Sequence, residues 1–171
     1  MIIAIGGLTG SGKNTLGERL ARRLGYAHVC PTFKDIAEKE GIPLMELQKK
    51  AEKDPNIDLK FDEILQEKVK KGNCVVTTWL GPWVIDADVR IWIYATETVR
   101  ASRIKDRDKM SEKEALKHLK ERDDNNRKRY QKLYKIDIDD HSEFDCSLNS
   151  GIYRPEQLEG IVMKIIETKR R

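Results

Sequence analysis

Ile2-Ile3-Ala4-Ile5-Gly6-Gly7-Leu8-Thr9-Gly10-Ser11-Gly12-Lys13-Asn14-Thr15 is the stretch that decides the fold. Its apolar start has no polar alternation, the pattern of a strand buried on both faces. Gly7 and Gly12 enclose four residues, and Lys13 follows the second glycine at once. Glycine is needed where a loop turns tightly and lets backbone N–H groups converge on phosphate oxygens. Residues 14–24 then read as a helix, with Leu16, Leu20, Ala21 and Leu24 along one face and Gly25 as its stop. Strand, glycine loop and helix in that order are the context in which this spacing forms a P-loop.

The loop residues Gly7, Leu8, Thr9, Gly10, Ser11, Gly12, Lys13, Asn14 and Thr15 are therefore expected to hold the phosphates of ATP or a close relative. Lys13 would reach the β- and γ-phosphates, helped by the positive end of the following helix. Mg²⁺ is expected with the ATP. The usual P-loop places Ser or Thr after the lysine to bind that ion; this chain has Asn14 and then Thr15. An Asn carbonyl oxygen coordinates a hard cation weakly, so Asn14 and Thr15 are the candidate metal contacts. Nucleoside monophosphate kinases resemble the chain in tolerating a non-hydroxyl residue there, which favours a small-molecule kinase over a GTPase-type switch.

Outward from the loop, strands are expected at residues 26–30, 74–78, 89–94 and 144–148. Helix is expected over 33–71, broken at Gly41–Pro43 and near Pro55, then over 97–105, 111–134 and 155–167. Ser111 with Glu114 three residues on is a capping signal, and Pro155 suits a first helical turn. Alternating strands and helices predict an α/β fold: a single P-loop NTPase domain with a five-stranded, mostly parallel sheet and helices on both faces. A helical acceptor-binding region at about 31–71 and a helical lid at about 98–135 complete it.

Composition agrees. The chain has 171 residues, 39% hydrophobic and 36% charged, enough for one core and unlike a disordered chain. No run approaches the roughly 20 apolar residues of a membrane span, and residues 1–5 are too short for a signal core. Cys30, Cys74 and Cys146 have no paired metal spacing and read as reduced thiols. A cytoplasmic protein is expected. Net charge is +4, but residues 98–135 carry 14 Lys and Arg against 7 Asp and Glu, an excess of seven positive charges. Such a segment suits phosphate groups. The basic tail Lys169-Arg170-Arg171 adds little support for nucleic-acid binding, which is not the expected role.

Within residues 111–134, Arg122, Asn126 and Arg129 are spaced by four and three, so they point one way from a stripe otherwise apolar. With Arg103 and Arg107 on the preceding helix, they form a group able to close over transferring phosphates and offset transition-state charge. A surface ion pair is the alternative for any one of them.

The order of features resembles the archaeal-type cytidylate kinases, small P-loop enzymes acting on CMP or dCMP. The similarity rests on the P-loop, His28-Val29-Cys30, Ala51-Glu52-Lys53-Asp54-Pro55-Asn56-Ile57-Asp58, Gly72-Asn73-Cys74-Val75 and Ala87-Asp88-Val89-Arg90-Ile91-Trp92. Val99-Arg100-Ala101-Ser102-Arg103-Ile104, Arg129-Tyr130 and the run from Tyr134 through Asp140 add to it. The resemblance implies phosphate-binding roles for Arg103, Arg107, Arg122 and Arg129, and puts Asn126 where an acidic residue is usual. It fits poorly on the acceptor side. A glycine and a Phe-Arg pair are replaced by Pro31-Thr32-Phe33-Lys34, and an acidic residue with Gly-Arg by Thr77-Thr78-Trp79. Lys34 is the remaining candidate for the acceptor phosphate. Trp79 and Trp83 have two readings, stacking on a base or sugar, or packing in the core.

The leading expectation is transfer of the ATP γ-phosphate to CMP or dCMP, with Lys13, Arg103, Arg107, Arg122 and Arg129 catalytic and Lys34, Trp79 and Asn126 binding the acceptor. The alternatives are a P-loop kinase with another small-molecule or nucleoside acceptor, and a nucleotide-binding ATPase working through a partner such as RNA or the ribosome.

Overall fold

A computed structural model describes residues 1–169; Arg170 and Arg171 of the basic tail lie outside the described residues. Strand β1 (Ile2–Gly6) is the middle of a five-stranded sheet, flanked by β3 (Cys74–Thr77) and β4 (Val89–Tyr94), with β2 (Ala27–Val29) beyond β3 and β5 (Cys146–Asn149) beyond β4. All four pairings are parallel, with Ile3 opposite Val75 on one side and Val89 on the other. The expected "mostly parallel" sheet is thus parallel throughout. Parallel neighbours need crossovers, here supplied by eight helices among the described residues: α1 (Lys13–Leu24), α2 (Phe33–Glu40), α3 (Leu44–Lys53), α4 (Asn56–Val69), α5 (Gly81–Val84), α6 (Glu97–Asp108), α7 (Glu112–Tyr134) and α8 (Pro155–Lys169).

Strand alternation divides the core between the two faces. Ile3, Ile5, Val75, Ile91 and Ile93 pack with Leu16 and Leu20 of α1 and Leu158, Val162 and Ile166 of α8. Cys74 and Val76 turn the other way, against Val29, Leu65, Val69 and Ile85. Each fully buried Ile or Leu contributes about 1.5–3 kcal/mol. A third cluster, Ala101, Ile104, Ala115 and Leu119, joins α6 to α7.

The long helical stretch breaks where glycine and proline demand it. Gly41 ends α2 at φ 68°, Pro43 precedes α3, and Pro55 precedes α4. Ser111 and Glu114 form the expected capping box of α7. Beyond shifts of one or two residues, three differences from the sequence reading have a visible cause. Helix α6 continues past Lys105 to Asp108. Strand β5 starts at Cys146 because Phe144 is drawn into an aromatic cluster with Trp83, Trp92 and His141, while both the amide and the carboxylate of Asp145 hydrogen-bond the Arg90 backbone. The short helix α5 was not foreseen; the Thr78 hydroxyl, accepting from the Gly81 amide at 2.8 Å, starts it. All three cysteines are free, Cys74 buried and Cys30 and Cys146 partly so. No helix of the described residues is long and apolar enough to cross a membrane.

Candidate active site

The phosphate loop lies between β1 and α1, at the carboxyl ends of the strands. Its turn is closed by the Ser11 amide donating to the Leu8 carbonyl at 3.1 Å. Gly10, at φ 76°, is required twice over: a Cβ there would sit 2.8 Å from the Arg100 carbonyl oxygen.

Helix α6 holds this loop from outside. Arg100 Nη1 donates to the Thr9 carbonyl at 3.0 Å and to Asp123 Oδ2 at 2.6 Å. Arg103 Nη1 lies 3.2 Å from both the Gly10 and Ser11 carbonyls and 2.9 Å from Ser150 Oγ, and its Nη2 donates to the Ser150 carbonyl. Ser150 Oγ in turn donates to the Ser11 carbonyl at 2.6 Å. In a trans peptide the next N–H points opposite to the carbonyl, so fixing three carbonyls outward leaves the Gly10 and Gly12 amides aimed the other way. The Ser11 hydroxyl is buried without a hydrogen-bond partner. An unpaired buried donor in a glycine loop fits an incoming oxyanion.

Three cations converge beside the loop. Lys13, Arg107 and Arg122 line one cavity of about 640 Å³, and Lys13 and Arg107 also line a neighbouring one of about 490 Å³. Burial lowers the Lys13 ammonium to about 8, and the Arg122 charge pushes the same way. Arg122 is itself depressed, by burial first and by Arg107 next, and its Nε has no partner. Asp123 offsets part of this excess. Arg107 is gripped by Asp108 at 2.8 and 2.6 Å. Like charges held together at such cost form a site that gains by taking an anion.

The larger cavity continues past these cations to Phe33, Phe61, Trp79, Tyr130, Asn126 and Arg129. Arg129 is 6% exposed: Nε lies 3.0 Å from Asp58 Oδ2 as an ion pair without an aligned hydrogen bond, Nη1 donates to Asn125, and Nη2 donates to Asn126 and Tyr130. Its guanidinium also lies 4.9 Å from the Phe33 ring centre. Asn125 and Tyr134 reach from α7 to Glu52 and Asp62, tying that helix to α3 and α4.

The residues singled out from sequence thus separate into groups. Lys13, Asn14, Arg107, Arg122, Asn126, Arg129, Lys34 and Trp79 line the larger cavity, and Thr15 and Arg103 the smaller, where Asn14 also lies. Arg103 turns to the loop carbonyls. Asn126 has its oxygen occupied by Arg129. Lys34 is exposed, 3.7 Å from Glu38. The two readings of the tryptophans divide: Trp83 packs edge-on against Trp92 and Phe144, whereas Trp79 sits in the cavity wall, 6.2 Å from the Tyr130 ring. At the end of β3 the Thr77 hydroxyl pairs with His28 at 2.9 Å. Among the described residues no group of three or more His, Cys, Asp or Glu could hold a metal on its own.

Arg100, Asp123 and Asp58 were not singled out from the sequence as site residues. A signal existed for two of them. Leu119, Asp123, Asn126 and Tyr130 recur at the four-three-four spacing of one helix face, as Asp58, Leu65 and Val69 recur at seven and four; all are buried. A carboxylate in such a stripe demands a buried cation.

Residues 2–152 match the family model described as the cytidylate kinase-like family. The chain belongs to that family. A cytidylate kinase of Pyrococcus horikoshii is 39% identical over 170 residues, covering 98% of this chain and 88% of its own. One from Pyrobaculum islandicum is 42% identical over 155 residues, covering 88% and 84%. Among solved structures, an uncharacterised protein from Eubacterium ventriosum superposes with TM-score 0.73 at 19% identity, and a shikimate kinase from Bacteroides thetaiotaomicron with 0.63 at 16%; each comparison covers 98% of both chains. These two show the fold alone. Family membership and the phosphate loop make the chain an ATP-dependent phosphotransferase. The readings with a different acceptor, or with RNA or the ribosome as partner, are not favoured.

Proposed function

We propose that this enzyme transfers the γ-phosphate of Mg·ATP to CMP or dCMP in the cytoplasm. The observation that carries the reading is the convergence of Lys13, Arg107 and Arg122 beside the phosphate loop, in one cavity with a set of aromatic faces. The triphosphate would lie on Gly7 through Thr15, and a monophosphate acceptor would extend along the wall formed by Trp79, Tyr130 and Arg129. Its relatives' names supply the base.

Phosphoryl transfer asks the protein mainly for positioning and for cancellation of charge. Lys13 and the amides of the loop orient the β- and γ-phosphates. Arg107 and Arg122, each on a lid helix, meet the equatorial oxygens; on meeting them the depressed charges of Lys13 and Arg122 recover their full proton affinity, which favours the complex. Arg103 acts one step back, keeping the loop open. An acceptor phosphate is already anionic, so no general base is required. Arg129 is the cation nearest the aromatic wall, its guanidinium 4.9 Å from the Phe33 ring centre, and Lys34 lines the same cavity.

Mg²⁺ would arrive with ATP as part of the substrate and would supply shielding of the phosphate charge. Mg²⁺ bound through phosphates needs few protein ligands. Asn14 and Thr15, both exposed in the first turn of α1, fit that demand. The test is chemical: enzyme incubated with γ-labelled ATP and CMP should put the label into CDP. Label found only in inorganic phosphate would contradict the reading.

A further inference from the structure

Arg107 enters the phosphate cavity with a partner already in its grip. Its Nε and Nη2 donate to the two carboxylate oxygens of Asp108 at 2.8 and 2.6 Å, so the edge that would fork onto a phosphate is taken. Asp108 lines the same cavity. Phosphates drawn to Arg107 and Arg122 would therefore meet this carboxylate as well, and like charge opposes them. The pair is open enough to exchange partners, with the Arg107 side chain 57% and that of Asp108 29% exposed.

One neighbour can take over that carboxylate. His118 of α7 lines the cavity with Asp108, one helical turn before Arg122 and on the same side of the helix. It is half-buried, and among the described residues no hydrogen bond ties down its ring. Four charges face it: Arg107 and Asp108 from α6, and Glu121 and Arg122 from its own helix. Burial holds its proton affinity below the ordinary 6.5, and the two arginines push the same way against Asp108 and Glu121. Near neutrality the imidazole is then mainly uncharged and does little for Asp108. Phosphate oxygens arriving at Arg107 and Arg122 cancel the charges that keep the proton off. Lys34, the other cation facing Asp108, is exposed and lies 3.7 Å from Glu38.

We propose that His118 takes a proton from solvent as the phosphates of ATP enter, becomes the counter-ion of Asp108, and so frees Arg107 for the phosphates. The inference rests on the phosphate-binding role given above to Arg107 and Arg122. His118 is then a positioning residue, acting through Asp108 and Arg107 rather than on the reacting atoms. The step balances: one N–H bond forms on the imidazole, water or buffer gives up one proton, and no other covalent bond changes. Its consequence is a linkage between proton and nucleotide. A group that holds its proton more tightly in the complex makes the complex weaken as pH rises through its titration. Lys13, lowered to about 8, titrates in a higher range, and a variant of His118 leaves that part unchanged.

The experiment follows the imidazole C–H resonances of the three histidines by NMR across pH, with and without saturating Mg·ATP and with no acceptor. The His118 signal is the one missing from His118→Gln. Its midpoint should rise by at least about half a unit with Mg·ATP, one unit being tenfold in proton affinity. Between about pH 6 and about pH 8 the Kd of wild type for Mg·ATP should rise about three- to tenfold more than that of His118→Gln. At about pH 6 His118→Gln should bind more weakly than wild type; at about pH 8 His118→Lys, which keeps its charge through this range, should bind more tightly. A merely structural role would weaken both variants alike at both pH values. That pattern, or a His118 midpoint that Mg·ATP leaves unmoved or lowers, overturns the proposal. Wild type that binds no Mg·ATP at either pH overturns the phosphate-site reading itself, a result distinct from loss of the proton linkage alone.

Discussion

Arg100 Nη1 lies 2.6 Å from Asp123 Oδ2, with both side chains about 95% buried, and the same nitrogen donates to the Thr9 carbonyl of the phosphate loop. One guanidinium thus joins the loop, α6 and α7. Burial pushes the Asp123 carboxyl up while its bond to Arg100 pulls it down. Removing one member of a buried pair leaves the other charge uncompensated, at about 3–5 kcal/mol. Asp123→Ala should lose that much stability in urea unfolding. Where it remains folded, its KM for ATP should rise while KM for CMP changes little.

Arg103 should behave as a positioning residue. Its four hydrogen bonds go to backbone and Ser150, so Arg103→Lys, which cannot reproduce a planar fork, should lower kcat/KM for ATP about ten- to hundredfold, through a loosened loop. Thermal unfolding should move much less than for Asp123→Ala, since the guanidinium is less deeply buried. Steady-state kinetics against ATP, beside a melting curve, check both parts.

Gly17 lies inside α1, beyond the phosphate loop, where alanine would ordinarily be the better residue. A Cβ there would fall 2.1 Å from Thr77 Cγ2 of β3 and 3.1 Å from His28 Nε2. Gly17→Ala must push α1 off the sheet. It should cost about 1–3 kcal/mol by overpacking and displace the Lys13 end of the helix, so ATP affinity should fall with stability. Chemical denaturation and ATP titration measure the two effects.

How much of this was legible follows from the range of the interactions. The phosphate loop, the helix breaks at Gly41, Pro43 and Pro55, and the Ser111 cap depend on neighbours within a few residues, and a single sequence carries them in full. The convergence of Arg107, Arg122 and Arg129 on one cavity was legible through helical spacing and family resemblance together. Asp58 and Arg129 meet only after α3, α4 and α7 have packed, and nothing local to Asp58 names its partner. Arg103 shows the converse limit: its position on α6 was legible, but its attachment to the loop carbonyls depends on Ser150, which follows the edge strand β5. Phe144 left its expected strand for the same reason, because Trp83, Trp92 and His141 assemble around it only in three dimensions.

Asp58 also sets a pH dependence of stability. Its folded-state carboxyl is raised from the ordinary 3.8 to about 6, by burial first and with Asp62 adding, against the pull of Arg129. Tyr130 and Tyr134, also facing it from α7, keep their protons through this range, burial having raised both. A raised acid binds its proton more tightly folded than unfolded, so stability falls as pH rises from about 4 to 6 and stays lowered above. The two-unit change corresponds to about 3 kcal/mol. Asp58→Asn lacks this titration. Relative to wild type it should gain about 2–3 kcal/mol between pH 4 and pH 7 in urea unfolding at matched ionic strength; parallel curves would contradict the assignment.

The most direct test of the central claim is the rate of ADP formation from Mg·ATP with CMP, dCMP, UMP, AMP, GMP or no acceptor, for wild type and Lys13→Ala. The account predicts a rate that depends on CMP or dCMP, exceeds every other acceptor, and falls at least a hundredfold in Lys13→Ala. ADP formation indifferent to the acceptor, or a CMP-dependent rate that survives loss of Lys13, would contradict it.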